Sequence, residues 1–235
     1  MAVISASVLT KKPKSWLCES VRATPGQQVD IKTIAVIGAG AMGRGVAYAS
    51  LYGGYNTVLE DISLKILKES MAWIRRSLDQ DVSRGTVDAT RRITALSLIA
   101  TASTIEDAIR DADLIVETVP EEMEMKIELF TIFDKFAKPG AIFASNTSSL
   151  SISDMADATV SGDRCIGMHF FNPGPKMKHI KLVTTPMTSL ETIASCCEVA
   201  RRMGREIVQV SESPGVQGKE SIDSNSAKRR VRAKP

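Results

Sequence analysis

Thr33-Ile-Ala-Val-Ile-Gly-Ala-Gly-Ala-Met-Gly43 decides how the rest of the chain is read. An apolar β-type run ends in Gly38-x-Gly40-x-x-Gly43 and passes into Arg44-Gly-Val-Ala-Tyr-Ala-Ser50, which has helical character. That order is strand, tight glycine turn, helix N-terminus. Gly38 permits the turn, Gly40 lets the backbone approach a pyrophosphate, and Gly43 lets helix and strand pack closely. Free N–H groups at the helix start, around Ala41 and Met42, then meet the anion. A second run, Asn56 to Leu59, leads into Glu60 and Asp61. Asp61 stands 18 residues beyond Gly43, near the ~20-residue spacing of a carboxylate that hydrogen-bonds a ribose 2′-hydroxyl. Together these features predict a dinucleotide site. The competing reading is an α/β domain that needs the glycines only for packing.

Outward from this stretch, strand and helix alternate up to about Gly215. After Asp61 a long segment sets Ile62, Ile66, Ser70, Ile74, Leu78 and Val82 on one expected helical face. Strand-like runs follow at 97–101, 114–118, 141–145, 164–170, 180–185 and 206–210, with helical segments at 105–110, 122–136 and 190–203. Alternation with a phosphate loop at the first crossover predicts a Rossmann-type, doubly wound, mostly parallel sheet. Three regions are expected: a leader or linker over 1–30, a dinucleotide-binding domain over 31–215, and a disordered basic tail over 216–235. The tail has too few apolar residues to offset its ordering entropy.

The 235 residues are 43% hydrophobic, enough for a sizeable core. No apolar run approaches the ~20 residues of a membrane span, so no membrane partner is expected. The net charge of +3 is unevenly spread. Residues 216–235 contribute +4 and residues 1–30 contribute +2, leaving the body at about −3. An acidic body with basic ends argues against nucleic acid as a partner. The four cysteines lack zinc spacing and form no obvious disulfide set, which points to a reducing cytoplasm. The mildly apolar Met1–Thr10 precedes Lys11, Lys12 and Lys14. That order is wrong for a secretory signal and leaves a mitochondrial presequence as the alternative.

Two histidines exist. His169 ends an expected strand in Met168-His-Phe-Phe-Asn-Pro173, and strand C-termini line the ligand crevice of such sheets. Position alone leaves it either functional or a satisfied core histidine. His179 lies among lysines and reads as a surface residue. Asn146-Thr-Ser-Ser149 also follows a strand, yet Ser148 or Ser149 could equally cap the next helix. Glu117, Glu121 and Glu122 end another strand, and either face a ligand or start a helix.

Gly38-Ala-Gly-Ala-Met-Gly-Arg-Gly45, Val116-Glu-Thr-Val-Pro-Glu121, Ser145-Asn-Thr-Ser-Ser-Leu150, His169-Phe-Phe-Asn-Pro173 and Glu212-Ser-Pro-Gly215 occur in this order. Over about residues 31–215 the chain resembles the NAD-binding domain of the 3-hydroxyacyl-CoA dehydrogenases, 3-hydroxybutyryl-CoA dehydrogenases included. The resemblance implies NAD at the loop of Gly38, Gly40, Ala41, Met42 and Gly43, with Asp61 on the adenosine ribose. It implies Glu121 and Lys126 near the nicotinamide half, and Ser148 and Asn172 on the cofactor or the substrate oxygen. His169 would be the catalytic base, and Ser77 and Arg84 would meet the CoA of a 3-hydroxyacyl-CoA substrate. Homo-oligomers fit the same resemblance. Two departures stand out. Family members carry a glutamate twelve residues beyond the histidine, where it orients the imidazole, and this chain has Lys181. Members also continue past the Pro-Gly into a helical domain, which is expected to be missing here, where residues 216–235 follow instead.

Overall fold

The computed structural model describes residues 29–171, 174 and 177–212. The leader expected over 1–30, apart from its last two residues, and the tail expected over 216–235 lie outside the described residues. Among the latter, eight strands form one sheet in the order β3-β2-β1-β4-β5-β6-β7-β8. They are β1 (Thr33–Ile37), β2 (Asn56–Glu60), β3 (Ile99–Ala102), β4 (Leu114–Glu117), β5 (Ile142–Ser145), β6 (Cys165–Phe170), β7 (His179–Thr184) and β8 (Glu206–Ser211). The helices between them are α1 (Ala41–Tyr52), α2 (Leu64–Ser83), α3 (Ala89–Ser97), α4 (Ile105–Ile109), α5 (Met123–Phe136), α6 (Ile152–Asp157) and α7 (Leu190–Arg202).

All neighbouring strands pair in parallel except β6 and β7. The exception follows from chain length. A parallel return needs a crossover of about a dozen residues or more, and only residues 171–178 join β6 to β7. Two apolar clusters cover the sheet faces. One gathers Ile34, Val36, Val46, Leu59, Ile74 and Ile166 beneath α1, α2 and α7. The other gathers Ile37, Ile115, Phe130, Phe133 and Phe143 beneath α4, α5 and α6. Consecutive strands run outward from β1 to β3, and the chain then returns to β4 on the far side of β1. This reversal opens a crevice at the C-terminal ends of β1 and β4, where ligands of such sheets bind. Among the described residues no helix is long and apolar enough to cross a membrane.

The helical face expected on α2 holds at Ser70, Ile74 and Leu78 and is corrected toward its ends. Ile62 is 91% and Ile66 38% exposed, and the buried stripe is Leu67, Ser70, Ile74, Ser77, Leu78 and Asp81. A strict four-residue series drifts by about 40° per step and cannot stay on one face, whereas mixed steps of three and four can. The cap of the helix after β5 is also reassigned. Ser151, not Ser148 or Ser149, accepts the Asp154 N–H at 3.1 Å to start α6.

Candidate active site

The glycine loop meets the three demands of a pyrophosphate cradle. Gly38 has φ of 90°, in the region that disfavours side chains. A Cβ on Gly43 would sit 1.7 Å from the Gly38 carbonyl oxygen, so only glycine allows α1 this close to the turn. A Cβ on Gly40 would meet nothing within 4 Å, so the space beside it is open to a ligand backbone. Gly40, the N-cap of α1, has no side-chain cap, and the helix start carries no acidic residue. Among the described residues no acceptor holds the N–H groups of Ala41 and Met42. An anion fits this position.

Polar groups of the turn itself are tied down. Gly38 N–H donates to the Glu60 carbonyl at 3.0 Å, which joins the loop to the end of β2. Ala39 N–H donates to Asp61 Oδ2 at 2.9 Å, and Ser63 N–H donates to Asp61 Oδ1 at 2.9 Å. Asp61 thus has a fixed orientation at the loop's edge. The Ala39 carbonyl accepts the Ser70 hydroxyl at 2.5 Å.

Next to the loop lies a cavity of about 430 Å³, lined by Met42, Thr118, Glu121, Asn146, Ser148, His169 and the aromatic pair Phe170 and Phe171. Its walls come from four separate segments: the glycine loop and the ends of β4, β5 and β6 with their following turns. His169 packs against Phe171 with ring centroids 4.4 Å apart and the planes inclined by 58°. In the antiparallel register it pairs with Lys181, so both side chains leave the same face. Burial holds the His169 imidazole below its ordinary pKa, and the Lys181 charge lowers it further against a smaller upward pull from Glu121. Glu121 accepts the Thr147 hydroxyl at 2.5 Å, the Ser148 N–H at 3.1 Å and the Ser149 hydroxyl at 3.1 Å. Burial alone would push its carboxyl up, but these donors and the Lys126 charge bring it below the usual carboxylate range. Asn146 Oδ1 accepts the Phe170 N–H at 2.9 Å, which braces the strand end carrying His169.

Of the residues singled out from sequence, Met42, Glu121, Ser148 and His169 converge on this cavity, with the glycine loop and Asp61 alongside. Lys126 does not line it. Lys126 is fully buried, and its ammonium donates to both Glu117 carboxylate oxygens at 2.7 and 2.8 Å, while Glu121 stands 3.6 Å away. Ser77 is buried on α2 and Arg84 caps its C-terminus, and neither lines the cavity. Asn172 lies outside the described residues. His179 is exposed, with Nδ1 3.2 Å from Glu206. Thr118 was missed as a wall residue. It stands inside the Val116–Glu121 motif, but its part in the wall becomes apparent only once β4 is placed beside β1.

Residues 33–213 match the family model described as "3-hydroxyacyl-CoA dehydrogenase, NAD binding domain". The chain belongs to the 3-hydroxyacyl-CoA dehydrogenase family. Among its relatives, the mitochondrial hydroxyacyl-coenzyme A dehydrogenase of Sus scrofa is 36% identical over 207 residues, covering 86% of this chain and 66% of that protein. The 3-hydroxybutyryl-CoA dehydrogenase of Bradyrhizobium diazoefficiens is 38% identical over 184 residues, covering 78% and 62%. The crystal structure of (S)-3-hydroxybutyryl-CoA dehydrogenase from Ralstonia eutropha superposes with a TM-score of 0.75 at 33% identity, over 79% of this chain and 65% of that one. The chain therefore spans a little under two thirds of the length of such relatives. The sheet, the glycine loop and the cavity walls all fall within this 3-hydroxyacyl-CoA dehydrogenase segment.

Proposed function

We propose that this chain binds NAD and takes part in the oxidation of an L-3-hydroxyacyl-CoA to the 3-ketoacyl-CoA, or the reverse, within fatty acid metabolism. The observation that carries the reading is the convergence of an anion-binding glycine loop, an oriented ribose-type carboxylate and a histidine on one crevice. When bound, NAD supplies the hydride acceptor. Gly40, Ala41 and Met42 would hold its pyrophosphate and Asp61 its adenosine ribose. Glu121 would face the nicotinamide half, with Lys126 acting on it from beneath. His169 would take the proton from the 3-hydroxyl as a general base, a role worth about 10²–10⁴-fold in rate. Ser148 and Asn172 would hydrogen-bond the oxygen on which charge develops. Ser77 and Arg84 would approach CoA from α2. For the compartment we favour the cytoplasm, with the mitochondrial matrix as the alternative, because the relatives include bacterial proteins as well as four named as mitochondrial.

A titration of NADH followed by turnover of acetoacetyl-CoA tests this reading. His169→Gln should remove turnover and leave NADH affinity intact, and His179→Gln should change neither. Turnover that survives His169→Gln would refute the assignment. The second reading is a non-catalytic NAD-binding protein. It is favoured by Lys181, which faces His169 from the neighbouring strand and cannot accept the imidazole N–H. NADH binding without any turnover would select it.

A further inference from the structure

We propose that Thr118 is a positioning residue for the cofactor, its hydroxyl setting one of the two peptides that hold Asp61. The inference rests on the dinucleotide reading of the glycine loop and assigns a residue that this reading leaves out. Thr118 Oγ1 lies 2.8 Å from the Gly38 carbonyl oxygen and 2.9 Å from that of Ile37. The Ile37 carbonyl already accepts the Thr118 N–H at 2.9 Å. The Gly38 carbonyl has no other donor among the described residues, so the single hydroxyl proton has its main use there.

Gly38 C=O belongs to the same peptide plane as Ala39 N–H, and a peptide is rigid. The plane is therefore gripped at both ends, by the Thr118 hydroxyl at its carbonyl and by Asp61 Oδ2 at its amide, 2.9 Å away. Rotating the carbonyl off Thr118 would turn the amide away from Asp61. The grip matters because Gly38, at φ of 90°, has the widest conformational choice of any residue type. Thr118 is also close to the limit of what the loop admits, since a Cβ on Gly43 would come within 2.8 Å of its Oγ1. The same hydroxyl-bearing residue lines the cavity with His169. Thr118 thus joins the ribose-side carboxylate to the cavity wall through one peptide, without touching either half of the dinucleotide's expected ribose contact.

NADH and NADPH are titrated against wild type, Thr118→Ala, Thr118→Ser, Asp61→Ala and the Thr118→Ala/Asp61→Ala double variant, with thermal midpoints measured alongside. Thr118→Ala should weaken NADH about tenfold and narrow the NADH-over-NADPH preference, the scale expected for a lost hydrogen bond together with a loosened charged one. Thr118→Ser keeps the hydroxyl and should bind within about twofold of wild type. In the Asp61→Ala background the Thr118→Ala penalty should vanish, because its route runs through Asp61. Unchanged NADH affinity and preference in Thr118→Ala would overturn the proposal. So would a penalty undiminished by Asp61→Ala, or a Thr118→Ser variant as weak as Thr118→Ala, which would assign the effect to packing. Wild type that binds no NADH would instead sink the dinucleotide reading itself.

Discussion

Glu60 sits one residue before the carboxylate that the loop uses, and the residue is 5% exposed. Burial pushes its pKa up to about 7, the Gly38 N–H pulls modestly the other way, and the charges of Asp61 and Glu106 add to the rise. A raised folded pKa means that the native state holds the proton more tightly than the unfolded chain. Stability is then intact below the unfolded value of 4.5, falls as pH rises, and stays low above about 7. Glu60→Gln should therefore stabilise the fold by up to about 3 kcal/mol at pH 8 and by little near pH 4.5, read by urea unfolding at both. An equal gain at the two pH values would refute this account. His169 carries the opposite shift. Lys181→Glu should raise the imidazole pKa by replacing a repelled neighbour with an attracting one. With only two histidines in the chain, NMR titration in a His179→Gln background follows His169 alone, and an unmoved midpoint would show that position 181 does not act on it. At this scale Asp61 was legible because its spacing from the glycines is a local feature. Thr118 was not, because the Gly38 carbonyl that its hydroxyl meets lies 80 residues away in the chain.

Elements were legible where glycine, proline and polar clusters punctuate the chain. The strands at 114–118, 141–145, 164–170 and 206–210 agree with β4, β5, β6 and β8 to within a residue at either end. Two features escaped. The face of α2 was read rightly at Ser70, Ile74 and Leu78 and drifted off the buried stripe at Ile62, Ile66 and Val82. The six-residue α6 is too short to show a period, and a capping serine there cannot be told from Ser148 or Ser149 without the fold. The loop and α1 form the element whose function is most exposed to a single methyl group. Gly40→Ala adds its Cβ into open space, while Gly43→Ala drives one into the Gly38 carbonyl. Gly40→Ala should keep the thermal midpoint and lose NADH affinity, because the added methyl occupies the space a pyrophosphate needs. Gly43→Ala should lower the midpoint itself, since helix or turn must move. Calorimetry and NADH titration separate the two, and matching behaviour in both variants would contradict the division of roles.

Across the whole molecule the site hangs from a buried ion pair. Lys126 of α5 and Glu117 at the end of β4 are both essentially inaccessible, and Glu117 also accepts the Ser145 hydroxyl of β5 at 2.6 Å and the Val119 N–H at 2.7 Å. Three elements therefore meet at one carboxylate. The sequence shows only an acidic stretch followed by a helix, and the pairing depends on α5 folding back over the sheet. Fully desolvated, neither charge is tolerable alone. Lys126→Met should cost about 3–5 kcal/mol by stranding the Glu117 carboxylate in a dry interior. Adding Glu117→Gln should return much of that loss, because an amide can keep the Ser145 and Val119 partners without a charge. The double variant would then be more stable than Lys126→Met alone in denaturant unfolding. Glu121 should answer differently. It draws part of its low carboxyl pKa from the Lys126 charge, so the restored fold would still carry a less acidic Glu121 in the cavity wall. Stability recovered together with a displaced Glu121 titration is the outcome expected of a charge pair that both anchors the sheet and tunes the site. Additive losses in the double variant would mean that the two residues do not hold each other.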